Sequence, residues 1–162
     1  MKGFLILMVA FFATLSLKGQ VNDDSVRLEV LDKGIIDSMY TFGKWNKKTE
    51  STETHLKYLG QVTTKNGRVF KIMNSCWIWG ISKRATNRLL VFNEKNKYVG
   101  EYVLNTINDL PAKLENGKLI FKISDCSKQK ITVINLNKGL PKTIFLSCNG
   151  KDGDLYSFSN EE

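Results

Sequence analysis

Trp77 and Trp79 stand two residues apart in the apolar run CWIWG, a spacing that projects both indoles from one face of a strand. Lys83, Arg84 and Arg88 follow within the segment ISKRATNR. Indole faces stack on sugar rings or bases, and neighbouring cations hold carboxylate, sulfate or phosphate. The five residues together predict a binding site for an anionic polysaccharide or a lipid headgroup. A competing reading puts the tryptophan pair in the core, with Cys76 and Ile78 buried behind it, because aromatic residues dominate the cores of small β domains.

No other constellation signals chemistry. A nucleophilic enzyme needs a base beside an activated side chain. The chain has one histidine, His55, placed at the start of a strand, and nothing in the spacing brings it to Cys76. One histidine and three dispersed cysteines give no metal-ligand pattern of the C-x-x-C or H-x-x-x-H kind. Asp152-Gly153-Asp154 lacks the alternate ligands and distal Glu of a calcium loop and reads as a hairpin turn. No paired carboxylates of the glycosidase type are signalled. The expectation is a non-catalytic protein with no cofactor and no resident metal.

The cysteines are Cys76, Cys126 and Cys148. Cys126 and Cys148 each end a strand-like run, KLIFKISDC and KTIFLSC. If those runs flank a shared central strand, both thiols emerge at one end of the sheet. That predicts a Cys126–Cys148 disulfide contributing roughly 3 kcal/mol, with Cys76 left as a buried free thiol.

Such a bridge requires an oxidising compartment, and the N-terminus points to one. Met1-Lys2-Gly3 is a short positive region, residues 4–15 (FLILMVAFFATL) are apolar throughout, and Ser16-Leu17-Lys18-Gly19 ends the run. A bilayer-crossing helix needs about 20 apolar residues, so residues 1–19 read as a signal peptide cut after Gly19. No Cys follows the run, which excludes a lipoprotein signal ending in an acylated Cys. The mature chain, 20–162, is expected in the periplasm or outside the cell, with no transmembrane segment.

The whole chain carries 24 Lys and Arg against 16 Asp and Glu, a formal charge of +8. Loss of Lys2 and Lys18 with the signal leaves 22 minus 16, or +6. That balance favours polyanionic neighbours, although the lysines are scattered as solvating charge would be. Nucleic acid is not an expected partner.

Positioning these residues falls to a β-rich domain. Removing 19 residues from 162 leaves 143, enough for one core. Val26, Leu28 and Val30 alternate with Arg27 and Glu29 as a strand would, while Leu28, Leu31, Ile35, Met39 and Phe42 recur at helical spacing. The second pattern is favoured and predicts one short helix or helical turn between Asp32 and Phe42, ended by Gly43, with the polar residues 46–54 as a loop. From His55 onward, HLKYLGQVTT, RVFKIMN, CWIWG, NRLLVFN, KYVGEYVL, KLIFKIS, KITVINL, KTIFLSC and DLYSF alternate with turn residues. Asn66-Gly67 and Asn116-Gly117 are hairpin signals, the first predicting a type I′ turn with both residues at positive φ. Eight or nine short strands of this kind predict an all-β antiparallel barrel or sandwich. Lys57-Tyr58-Leu59-Gly60 echoes Lys97-Tyr98-Val99-Gly100, which shared hairpin chemistry explains without a repeat architecture.

Phe42-Gly43-Lys44-Trp45 resembles the Gly-x-Trp element that opens the first strand of lipocalin-like barrels, where the tryptophan closes one barrel end after a short helical turn. The resemblance covers these four residues and implies a barrel holding a small apolar ligand. Beside the anionic-surface reading, the sequence thus supports that barrel, or a secreted inhibitor that fills a partner's cleft with a loop.

Overall fold

Alternating apolar and polar residues become antiparallel strands almost without interruption from residue 39 onward. The computed structural model describes residues 24–123, 130–148 and 152–160. One helix, α1 (Asp24–Lys33), precedes β1 (Met39–Asn46), β2 (Ser51–Thr63), β3 (Val69–Trp79), β4 (Arg84–Asn93) and β5 (Tyr98–Leu104). After a short 3-10 turn (Ile107–Asp109) come β6 (Lys113–Glu115), β7 (Lys118–Ile123), β8 (Lys130–Asn135), β9 (Thr143–Ser147) and β10 (Gly153–Ser159). The strands form a seven-stranded sheet ordered β1-β2-β3-β4-β5-β10-β9 and a three-stranded sheet ordered β6-β7-β8. They do not close into a barrel; β1 and β9 lie at opposite edges of the larger sheet.

The period-2 geometry of a strand sorts side chains to two faces. The inner face buries Phe70, Ile72, Leu89, Val91 and Tyr102 against Leu119, Phe121 and Ile123 of β7. The outer face buries Leu56, Tyr58, Met73, Leu90 and Phe92 under Val30 and Leu31 of α1. Burying an aliphatic or aromatic side chain contributes about 1.5–3 kcal/mol, so both clusters tie their covering element firmly to the larger sheet.

Several expectations are corrected. The helix lies at 24–33, not between Asp32 and Phe42. Gly34, at φ +63°, ends it by donating its N–H to the Val30 carbonyl. Tyr40 and Phe42 then pack on the outer-face cluster as alternate residues of a strand. Ile35 and Met39, which completed the helical pattern, are exposed. The expected loop at 46–54 shrinks to 47–50, because β2 already begins at Ser51. Ten strands among the described residues stand where eight or nine were expected, the three-residue β6 among them. At Asn66-Gly67 only Gly67 has positive φ, so the turn is not type I′; both residues of Asn116-Gly117 do have it.

The two echoing segments turn out to be the same device. Tyr58 faces Met73 and Gly60 faces Ile72, which makes Leu59 the extra residue of a β-bulge. Tyr98 faces Phe92 and Gly100 faces Val91, which makes Val99 the extra residue of another. Each bulge lets a tyrosine point outward while the next apolar residue joins the inner core.

The disulfide premise is also corrected. Residues 118–123 and 143–147 belong to different sheets, so they flank no shared strand. Cys126 lies outside the described residues, as does the expected signal peptide. Cys76 is a buried free thiol on β3. No described helix is long and apolar enough to cross a membrane.

Candidate functional site

Sheet register decides which predicted site residues meet. Trp77 and Trp79 share the outer face, half-buried, with ring centroids 5.4 Å apart and planes 21° from parallel. Arg84 is the β4 partner of Trp79 and holds its guanidinium carbon 5.8 Å from that ring. The Trp79 indole N–H donates to Thr86 Oγ1 at 3.0 Å. Each indole therefore gives area to the other, and Trp79 gives more to Arg84. The strip is a packed cross-strand stack of the kind that stabilises sheets.

Arg88 and Lys83 do not complete that strip. Arg88 lies on the same face, but its Nε is 3.2 Å from Glu101 Oε1, and its side chain is only 13% exposed. Lys83 sits in the β3–β4 turn at φ +54°. Its Nζ lies 5.3 Å from the centre of the Trp45 ring. Trp45 in turn donates its indole N–H to the Gly80 carbonyl at 2.9 Å, tying the β1–β2 end to the β3–β4 turn. Trp45 thus joins two turns at one end of an open sheet, and the closed barrel implied by the Gly-x-Trp resemblance is not formed.

A concave feature among the described residues lies on the inner face, beyond the part covered by the three-stranded sheet. His55 of β2, Cys76 of β3 and Asn87 of β4 occupy one row across the strands. The connection from β5 to β6 passes over this row. It is held by Asn74 Nδ2 donating to the Pro111 carbonyl and Lys57 Nζ donating to the Ala112 carbonyl, both at 2.8 Å. Thr106 and Asp109 cap its 3-10 turn, with Thr106 N–H donating to Asp109 Oδ2 at 2.9 Å. Ile107 stands above the row and is common to two adjoining cavities, of about 210 Å³ toward Met39 and His55 and about 440 Å³ toward Ile78, Ala85 and Lys83. Cys76 lies at the floor of both.

The polar groups in this groove are restrained. The Asn74 and Asn87 amides donate to carbonyls, which orients them and leaves each buried Oδ1 without a partner among the described residues. His55 pairs through Nε2 with Glu53, whose second oxygen accepts the Trp45 backbone N–H at 3.2 Å. These donors hold the Glu53 carboxyl below the usual carboxylate range. Burial, helped by the negative charge of Glu53, pushes the Cys76 thiol up. A thiol kept protonated is a poor nucleophile. The dispersed positions of His55 and Cys76 hid their proximity in the sequence; only the β2–β3 register, shifted by the Leu59 bulge, makes them partners. No group of His, Cys, Asp or Glu suited to a metal ion occurs among the described residues. No protein family, no curated protein and no solved structure matches this chain.

Proposed function

We propose that this is an exported, non-catalytic binding module whose inner-face groove takes a small, largely apolar molecule ending in an anionic group. The observation that supports it is the pair of adjoining cavities meeting beneath Ile107. Ligand sites are concave and mostly apolar with a few placed polar groups. Ile78, Ala85, Ile107 and Leu110 supply the apolar walls, and Lys83 supplies a cation at one end. The groove takes the role that a closed barrel interior would have had. A protonated Cys76 and a His55 already paired to Glu53 favour binding over catalysis.

A fluorophore-tagged fatty carboxylate tests the reading. Saturable binding, weakened by Lys83→Gln for the carboxylate but not for the corresponding alcohol, and abolished by Ala85→Trp, is the expected result. Unchanged binding by Ala85→Trp, or no saturable binding at all, would overturn it.

A second reading keeps the anionic polysaccharide or headgroup on the Trp77, Trp79 and Arg84 strip, favoured by the position of the guanidinium beside the half-buried indoles. It predicts polyanion quenching of tryptophan fluorescence that Arg84→Ala removes. Export through residues 1–19 and a Cys126–Cys148 bridge belong to the same proposal. That bridge would join the chain after β7 to the chain after β9, linking the two sheets. Peptide mapping without reduction should recover the linked pair, and an unlinked Cys126 would refute it.

A further inference from the structure

We infer that the end of the larger sheet formed by the β1–β2 and β3–β4 turns docks on an anionic lipid bilayer, with Ile81 at the leading tip. Antiparallel order places residues 47–50 and 80–83 at the same end, and the Trp45–Gly80 hydrogen bond holds the two turns together. Ile81 projects from the β3–β4 turn 56% exposed. A β-branched aliphatic side chain at a hairpin tip satisfies no turn requirement, and in water it gains nothing. Half-buried Trp45 and Trp79 flank the tip, and indoles favour the boundary where one side is apolar and the other wet.

Charge at this end is one-sided. Lys44, Lys47, Lys48, Lys83 and Arg84 are all exposed. None of them forms an ion pair within 4 Å among the described residues. Of the acids nearby, Glu53 is engaged by His55 and the Trp45 amide, and Asp154 of β10 accepts from Asn105. Glu50 is the exposed acid within the turns. Peripheral membrane binding sums buried apolar area with attraction of basic residues to anionic lipid. A soluble polyanion would use the five cations and leave Ile81 in water; a bilayer uses both. The inference stands on the two turns and shares only Lys83 with the groove.

The test is flotation of the mature chain with vesicles of phosphatidylcholine, with or without one-third phosphatidylglycerol. Binding should require the anionic lipid and weaken with salt. Lys47→Gln, Lys48→Gln and Lys83→Gln should each lower partitioning about fivefold, from about 1 kcal/mol per basic residue near the surface. Ile81→Asp should lower it more than tenfold while changing the melting temperature little, since more than half of the residue is exposed. Equal binding to neutral vesicles, no binding to either, or full binding by Ile81→Asp while the lysine variants lose it would overturn the inference. The last pattern would indicate a polyanion site such as an acidic polysaccharide. Vesicle binding without fatty-carboxylate binding, or the reverse, separates this docking surface from the groove.

Discussion

Replacing Trp79 by Ala discriminates between a packed strip and an open ligand platform. A fully buried aromatic residue costs about 3–5 kcal/mol on truncation to Ala. Most of the Trp79 surface is covered, so about two-thirds of that loss applies. The stack on Trp77, with centroids 5.4 Å apart, is a pair of the kind that adds about 0.5–1.5 kcal/mol. The indole N–H bond to Thr86 adds little, because Thr86 is itself half-buried and water can reach its hydroxyl in the variant. The expected loss is about 3 kcal/mol, or about 6–12 °C in melting temperature for a chain of this size. Guanidinium unfolding should show a lower midpoint with an unchanged slope. In a double-mutant cycle, Trp77→Ala and Trp79→Ala should couple by about 1 kcal/mol. A loss above about 4 kcal/mol would mean that Trp79 is core, and one below about 0.5 kcal/mol would mean that the rings do not pack on one another. Either outcome refutes the strip.

Gly100→Ala should detach β10 from β5. An added Cβ would lie 2.4 Å from the Ser159 carbonyl oxygen and 2.6 Å from Phe158 Cζ, at a backbone φ of +153°. Because, among the described residues, β10 pairs with β5 through Phe158 and Ser159, hydrogen exchange should rise in β10 and β9 first, with a stability loss of about 1–3 kcal/mol; protection equal to wild type in β10 would refute this. Cys76 should alkylate slowly at neutral pH, since burial and Glu53 both favour its protonated form. Removing the nearby negative charge in Glu53→Gln lowers the thiol toward its ordinary value and should speed alkylation, and a bound groove ligand should slow it. Alkylation at the rate of an exposed thiol in the wild-type protein would show that Cys76 is not the groove floor.

Strand positions were largely legible because a half-buried sheet imposes a two-residue period that HLKYLGQVTT, NRLLVFN and KLIFKIS display directly. The helix was misplaced because two periodicities overlapped between Val26 and Phe42. Val26, Leu28 and Val30 alternate like a strand yet lie in α1, whereas Met39, Tyr40 and Phe42 belong to β1. What selected between them is tertiary: Val30 and Leu31 have an outer-face cluster to cover, and β1 has the edge of β2 to pair with. Neither partner is visible within a local window.

Side-chain proximity across strands failed for a related reason. The shared face of Trp77 and Trp79 followed from their spacing along one strand, but the fate of Arg88 depended on Glu101, a partner on another strand. His55 and Cys76 met through a register that the Leu59 bulge sets. That bulge did leave a trace, since Lys-Tyr-Leu-Gly and Lys-Tyr-Val-Gly mark both places where the larger sheet gains an extra residue. Each pattern needs an aromatic residue for the outer face, an aliphatic residue turned inward, and a glycine at positive φ to resume the ladder. At the first bulge the shift keeps Leu59 and Val62 together in the inner core while His55 and Lys57, before it, face the groove. A deletion of Leu59 would remove one inner-core side chain and straighten the ladder, because Tyr58 would still face Met73 and Gly60 would still face Ile72. Leu56 and Tyr58 would stay on the outer face and His55 would stay opposite Cys76, so the groove floor should survive while the core loses the Leu59 side chain.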